Sequence, residues 1–190
     1  TSISAALGFA EAAKIQGLAH KAVALIGDGS LTGGLALEGM NNAGASKADL
    51  LVILNDNNIS IDKNIGGLHN YLLRITTDPR YNKAKKRVWN SLGDNWFRRM
   101  IQKFVATTKS HLVSDSGGDL FQAMGFRYFG PIDGNDIEQV VNTLQKMKNM
   151  GGPRLLHVLT KKGKGYAPAE SDQTTWHAPG IFDPETGERI

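Results

Sequence analysis

Two short apolar runs, Ala22-Val23-Ala24-Leu25-Ile26 and Leu50-Leu51-Val52-Ile53-Leu54, each stop at a polar or glycine-rich turn, and Ala, Leu and Met at helical spacing lie between them. A strand that is apolar at every position, rather than at every second one, has both of its faces covered. Two such strands joined by a helical crossover pair in parallel, because antiparallel partners need only a tight turn. The sequence therefore predicts an α/β fold, a parallel sheet with helices on both faces.

The flanking patterns agree. Residues 3–16 place Ile3, Ala6, Leu7, Ala10 and Ala13 on one helical face, with Ser2 as the expected N-cap and Gly17 as the stop. The crossover helix is expected over 35–43 and to end near Gly44. After a polar loop from residue 59, a basic and aromatic region containing Trp89, Trp96 and Phe97 is expected to be helical, followed by a loop over 114–118. A short helix at 120–124, a strand at 126–129, an amphipathic helix at 137–147 and a strand at 155–160 complete the pattern. Asp133-Gly134-Asn135-Asp136 supplies the turn and cap before the amphipathic helix. Residues 161–190, with Pro168, Pro179 and Pro184, read as an irregular strap or linker beyond a domain over 1–160.

Composition narrows the function classes. The 190 residues suit one domain of ordinary size and leave no room for two independent catalytic domains. The absence of cysteine excludes a disulfide framework, a thiolate nucleophile and any Cys-based metal site. No apolar run approaches the ~18–20 residues that span a bilayer, so a soluble protein with no membrane partner is expected. The net charge of +4 is regional: residues 80–109 hold nine Lys/Arg against the single acid Asp94. The chain begins at Thr1 inside a predicted helix, so a fragment of a longer protein is expected.

The chemistry concentrates where the two strands end. Gly27-Asp28-Gly29-Ser30 follows the first strand and precedes a helix, the place where an open α/β sheet binds anions. No Gly-Lys-Ser/Thr follows and no three-glycine dinucleotide fingerprint is present. An Asp in such a loop repels phosphate unless a divalent cation bridges them. Asn55-Asp56-Asn57 ends the next parallel strand, so Asp28 and Asn57 can both offer oxygen to one Mg²⁺, with a backbone carbonyl, diphosphate oxygens and water completing an octahedron. Plain turn chemistry is the competing explanation for Gly-Asp-Gly taken alone.

These residues resemble the thiamine-diphosphate and Mg²⁺ motif of the transketolase-like enzymes. Thr1-Ser2-Ile3-Ser4, Asn41-Asn42-Ala43-Gly44, Ile53-Leu54-Asn55-Asp56-Asn57, Gly130-Pro131-Ile132-Asp133-Gly134 and Lys161-Lys162-Gly163-Lys164-Gly165-Tyr166 together are similar to the 1-deoxy-D-xylulose-5-phosphate synthases. The resemblance is weakest over 76–109. It implies that Asp28, Asn57 and the backbone carbonyl of Ile59 hold Mg²⁺, that Gly29 and Ser30 face the diphosphate of thiamine diphosphate, and that Lys162 reaches the same group. His177, in Thr175-Trp176-His177-Ala178, matches the family's active-site histidine. By the same resemblance, pyruvate is decarboxylated and its two-carbon remainder joined to D-glyceraldehyde 3-phosphate, feeding isoprenoid precursor, thiamine and pyridoxol synthesis. The family's glutamate that activates the aminopyrimidine lies in a later domain, and the Gly-His-Ser-Ser expected before Thr1 is absent, so this piece alone is expected to be inactive. The family acts as a homodimer, cytoplasmic in bacteria and plastid-located in plants, which leaves a plastid address open.

Three other readings compete. A transketolase or 2-oxo-acid dehydrogenase would share the metal motif, but Gly130 to Gly134 and Lys161 to Tyr166 match the synthases. A nucleic-acid-binding module would use the basic residues of 80–109 interleaved with Tyr81, Trp89, Trp96, Phe97 and Phe104; a charged helical face with inward aromatics explains the same pattern, and no nucleic-acid partner is expected. A remnant that has lost function is the third, against which stand Asp28, Asn57, Lys162 and His177. The remaining histidines carry no role in this reading, and His157, inside a predicted strand, reads as core.

Overall fold

The computed structural model describes residues 1–58, 66–77 and 118–188. In chain order these form α1 (Ser2–Ile15), β1 (Ala22–Gly27), α2 (Asp28–Leu31), α3 (Gly34–Ser46), β2 (Leu50–Asp56), α4 (Gly67–Thr77), α5 (Asp119–Ala123), β3 (Arg127–Asp133), α6 (Ile137–Met147), β4 (Arg154–Leu159), α7 (Ala167–Ser171) and a 3-10 turn (Thr175–His177). Ile59 and the basic region over 80–109 lie outside the described residues. The chain divides into two compact units, Thr1–His69 with Leu120–Ile190, and Asn70–Asp119. Of the second unit the described part is mostly α4, which buries Leu72 and Ile75 and sets Arg74 over the Tyr71 ring. Among the described residues no helix is long and apolar enough to cross a membrane.

The four strands of the first unit are all parallel, in the order β1-β2-β4-β3. On one face Ala24, Ile26, Leu50, Val52, Leu54 and Leu155 are buried, and α1 packs here against both β1 and α3. On the other face Leu51, Leu156 and Val158 form a core with Leu144 and Met147 of α6. Steps from β1 to β2 and from β3 to β4 run in opposite directions along the sheet, so crossovers of one hand put their helices on opposite faces. That reversal makes the β2–β4 boundary a topological switch point, where the carboxyl ends of the strands open a ligand crevice.

Several local expectations shift. Thr1, not Ser2, occupies the N-cap of α1 and offers no side-chain cap, whereas Gly17 does stop the chain with a left-handed φ of 68°. Strand β1 is buried on one face only: Val23 and Leu25 are 54% and 64% exposed, because the cover from α6 reaches Leu51 and Ile53 of β2 but not their β1 neighbours. Helix α3 runs past Gly44 to Ser46 and ends on Lys47 in the left-handed region. Gly44 serves packing instead, since its backbone lies against the Met124-Gly125 turn. Helix α6 spans the residues its period predicts, and the Asp136 side chain accepts the Gln139 N–H at 3.0 Å as its cap.

At the amino ends of the strands, buried Arg154 bridges the Asp49 carboxylate and the carbonyls of Met147 and Met150, and Lys21 reaches the same Asp49 at 2.5 Å. This lock joins β4, the start of β2 and the end of α6. Arg154→Met is expected to cost about 2–3 kcal/mol, less than the ~3–5 kcal/mol of a fully buried broken pair, because the stranded partner can hydrate; Asp49 is 36% exposed. Urea unfolding measures it, and a midpoint equal to that of the unsubstituted protein would contradict the role.

Candidate functional site

Every strand of the sheet ends on the same edge, and the residues found there come from separate segments. Gly27 pairs with Asn55 in the β1–β2 register, which sets Asp28 level with Asp56. The Asp28 and Asp56 carboxyls are hydrogen-bonded to each other, and both are buried, at 4% and 2% exposure. Two carboxyls that close together share a proton unless a cation lies beside them. Asn57, half-buried, follows directly on Asp56, so the strand pairing brings the expected ligands Asp28 and Asn57 to neighbouring strand ends. Gly29 and Ser30 continue from Asp28 in the four-residue α2, with Ser30 exposed.

The turn bearing Asn57 is pinned on both sides. Asp56 Oδ1 accepts the Asn58 N–H at 3.2 Å, and Asn58 adopts a left-handed φ of 59°. The Asp56 carbonyl accepts the Thr160 N–H at 2.9 Å, and Thr160 Oγ1 donates to Asn55 Oδ1 at 2.7 Å. The turn of β2 is thereby tied to the end of β4 across the switch point. Burial works to raise the Asp56 pKa, but the hydrogen bond and charge of His157, the Asn58 N–H and the Asp28 carboxyl outweigh it and hold the group below the ordinary carboxylate range.

A depressed folded value stabilises the protein at pH above the unfolded carboxylate value of about 3.9, and that stability is lost as pH falls through the lower folded value. Asp56→Asn is accordingly expected to be less stable than the parent at pH 6, with the gap closing as pH falls below about 4. Metal-free urea unfolding from pH 3 to 7 reads this. A gap that is constant with pH would contradict it.

Residues 161–188 are more ordered than an irregular strap. A turn over 162–165, α7 and the 3-10 turn are held by an aromatic cluster in which the Trp176 ring meets Tyr166 and Phe182 edge-on, at 5.1 and 4.8 Å between centroids. The Lys161 ammonium, 2.6 Å from Glu170, and the Gly165 N–H hold the Glu170 carboxyl below its usual range and brace the turn. The turn after β3 anchors it as well, since Asn135 Oδ1 accepts the Lys161 N–H at 2.8 Å. The outcome is a direct contact between the Lys162 ammonium and His177 Nδ1. Lys162 and His177, fifteen residues apart, thus share one place, and His177 remains exposed.

Among the described residues no group of three or more His, Cys, Asp or Glu side chains is arranged to hold a metal alone. Asp28 and Asn57 offer one carboxylate and one amide oxygen, a donor set whose chemistry would suit a hard cation that also takes diphosphate oxygens. The paired buried carboxyls supply the local demand for positive charge. Sequence reasoning passed over Asp56 as a ligand neighbour and His157 as core. His157 is fully buried but hydrogen-bonded through both ring nitrogens, and the signal available was one imidazole in an otherwise apolar stretch of β4.

The family model described as 1-deoxy-D-xylulose-5-phosphate synthase matches residues 1–160. The chain is 49% identical over 196 residues to the 1-deoxy-D-xylulose-5-phosphate synthase of Phocaeicola vulgatus, covering 100% of this chain and 30% of that protein. It is likewise 49% identical over 197 residues to the synthase of Chlorobaculum tepidum, covering 100% of this chain and 31% of that protein. The chain therefore spans under a third of the length of these curated relatives. Among solved structures, transketolase from Campylobacter jejuni matches with a TM-score of 0.58 at 23% identity, over 97% of this chain and 25% of that one, a likeness of fold. With the family model matching most of its length, this chain belongs to the 1-deoxy-D-xylulose-5-phosphate synthase family.

Proposed function

We propose that the chain forms the diphosphate- and Mg²⁺-binding part of an enzyme that decarboxylates pyruvate and joins the two-carbon remainder to D-glyceraldehyde 3-phosphate, giving 1-deoxy-D-xylulose 5-phosphate. The observation that supports this most is the apposition of Asp28 with the Asp56-Asn57 strand end at the switch point of the sheet. Thiamine diphosphate, when bound, supplies the nucleophilic carbon and the electron sink of the reaction. The chain's own residues bind and orient. Asp28, Asn57 and the Ile59 carbonyl would take the cation, and Gly29 and Ser30 would face the diphosphate with Asn57 and Ile59 beside them. Lys162 would add a flexible point charge for the same group.

His177 has Nδ1 against the Lys162 ammonium, which leaves Nε2 to hold or move a proton at the substrate. In this reading residues 1–160 carry the metal and diphosphate site and 161–190 form the strap that delivers Lys162 and His177. A homodimer, a cytoplasmic place in a bacterial source and a product that feeds isoprenoid precursors, thiamine and pyridoxol belong to the same proposal. The test is a donor comparison on the protein lengthened to the span of its curated relatives. Product formation from pyruvate is expected; turnover with a ketose donor while pyruvate stays inert would contradict the proposal and favour a transketolase.

A further inference from the structure

A buried imidazole destabilises a core unless both of its nitrogens are hydrogen-bonded. Those of His157 are: the Tyr128 hydroxyl lies 2.8 Å from Nδ1, and Asp56 Oδ2 lies 2.9 Å from Nε2. The strand register aligns them. Tyr128 pairs with Leu155, His157 with Leu54 and Asp56 with Leu159, so the three side chains share one face and step diagonally from β3 through β4 to β2. Past Asp56 the line reaches Asp28 at the end of β1. Four polar side chains thus cross the whole sheet and finish at the cation end of the site.

An ionised carboxylate only accepts, so Nε2 carries the proton that reaches Asp56, while Nδ1 is paired with the Tyr128 hydroxyl. The surroundings leave little freedom. Phe121 stacks on the Tyr128 ring at 5.7 Å between centroids, and the Gly130 backbone, at φ 107°, lies so close that a Cβ would stand 2.4 Å from the His157 carbonyl oxygen. Filling a sheet core requires none of this, since an apolar side chain at position 157 needs no buried partner.

We propose that His157 is a positioning residue for the cation: by donating from Nε2 it fixes the Asp56 carboxylate, and Asp56 in turn fixes the Asp28 carboxyl and the Asn57-Asn58 turn. Tyr128, hydrogen-bonded at Nδ1, holds the ring in the orientation that makes this possible. The inference deepens the function proposed above and rests on it.

The test separates the two ring nitrogens with side chains that reproduce one each. In His157→Gln the amide nitrogen reaches the place of Nε2 and still donates to Asp56; in His157→Asn the shorter amide reaches only the place of Nδ1. Titrations with MgCl2 at saturating thiamine diphosphate, alongside thermal midpoints, are made on the chain length that binds the cofactor, 190 residues or the span of the relatives. Partners that orient metal ligands typically contribute 10–100-fold in affinity, so the Asn variant is expected to lose about tenfold or more and the Gln variant less than about threefold. Equal Mg²⁺ affinity in the two variants would overturn the inference while leaving the cofactor reading intact. If both fail to fold, Tyr128→Phe, which removes one hydroxyl, takes their place: a lowered Mg²⁺ affinity supports the inference and an unchanged one overturns it. Absence of thiamine diphosphate binding by the unsubstituted protein at both lengths overturns the cofactor reading and the inference together.

Discussion

Gly44→Ala is expected to destabilise the first unit by about 3 kcal/mol or more, at the upper end of overpacking costs, and to lower its thermal midpoint by roughly 6–12 °C. A Cβ at Gly44 would stand 1.8 Å from the Met124 carbonyl oxygen and 2.9 Å from its carbonyl carbon. Both are backbone atoms, so no rotamer change relieves the contact. Helix propensity works the other way, because alanine is favoured over glycine inside a helix by about 1 kcal/mol. The clash is the larger effect. Gly8, inside α1, has open space where its Cβ would go, and Gly8→Ala is expected to raise stability by about 0.5–1 kcal/mol. Thermal unfolding of the two variants side by side decides it: a Gly44→Ala protein as stable as Gly8→Ala would show that α3 does not pack on the Met124-Gly125 turn as described.

Asp28→Ala is expected to move stability and binding in opposite directions. Without a cation, Asp28 is a buried, desolvated carboxyl, and its removal relieves that desolvation, which outweighs the one hydrogen bond it gives the Asp56 carboxylate. Unfolding of the metal-free variant is therefore expected at equal or higher denaturant than the parent, as is common where a site is built for a ligand rather than for stability. Binding should suffer heavily. Loss of a residue that merely supports a ligand costs 10–100-fold in metal affinity, so loss of a direct ligand is expected to weaken Mg²⁺-dependent cofactor binding by about 100-fold or more. Calorimetry and urea unfolding on the same preparations check both halves. A destabilised variant that still binds would place the cation elsewhere.

The elements that were legible in the sequence are those whose signal is local. The apolar runs of β1 and β2 and the period of α6 each specify themselves within a dozen residues, and the nearness of Asp28 and Asn57 at neighbouring strand ends follows once the two strands are parallel neighbours. What could not be read depends on strand order. The line from Tyr128 through His157 to Asp56 exists only because β4 lies between β2 and β3, an arrangement that no run of residues announces. Gly44 misled for a related reason: a glycine near a helix end reads as a stop, but here its use is a close approach to a turn some eighty residues further along the chain. Val23 and Leu25 are apolar like their strand neighbours, but they lie outside the core that α6 builds on Leu51 and Leu156 and stay exposed. Lys162 and His177 entered through family resemblance alone, because the loop that joins them is folded by Tyr166, Trp176 and Phe182 rather than by any period.

The edge formed by Asp28 and Asn57 is proposed to hold thiamine diphosphate through a divalent cation. Calorimetric titration of thiamine diphosphate into the 190-residue chain and into a form lengthened to the span of its relatives, each with Mg²⁺ and with chelator, tests it most directly. Binding in Mg²⁺ that disappears with chelator is the expected result. Binding of equal strength in chelator, or none in Mg²⁺ at either length, would contradict the account.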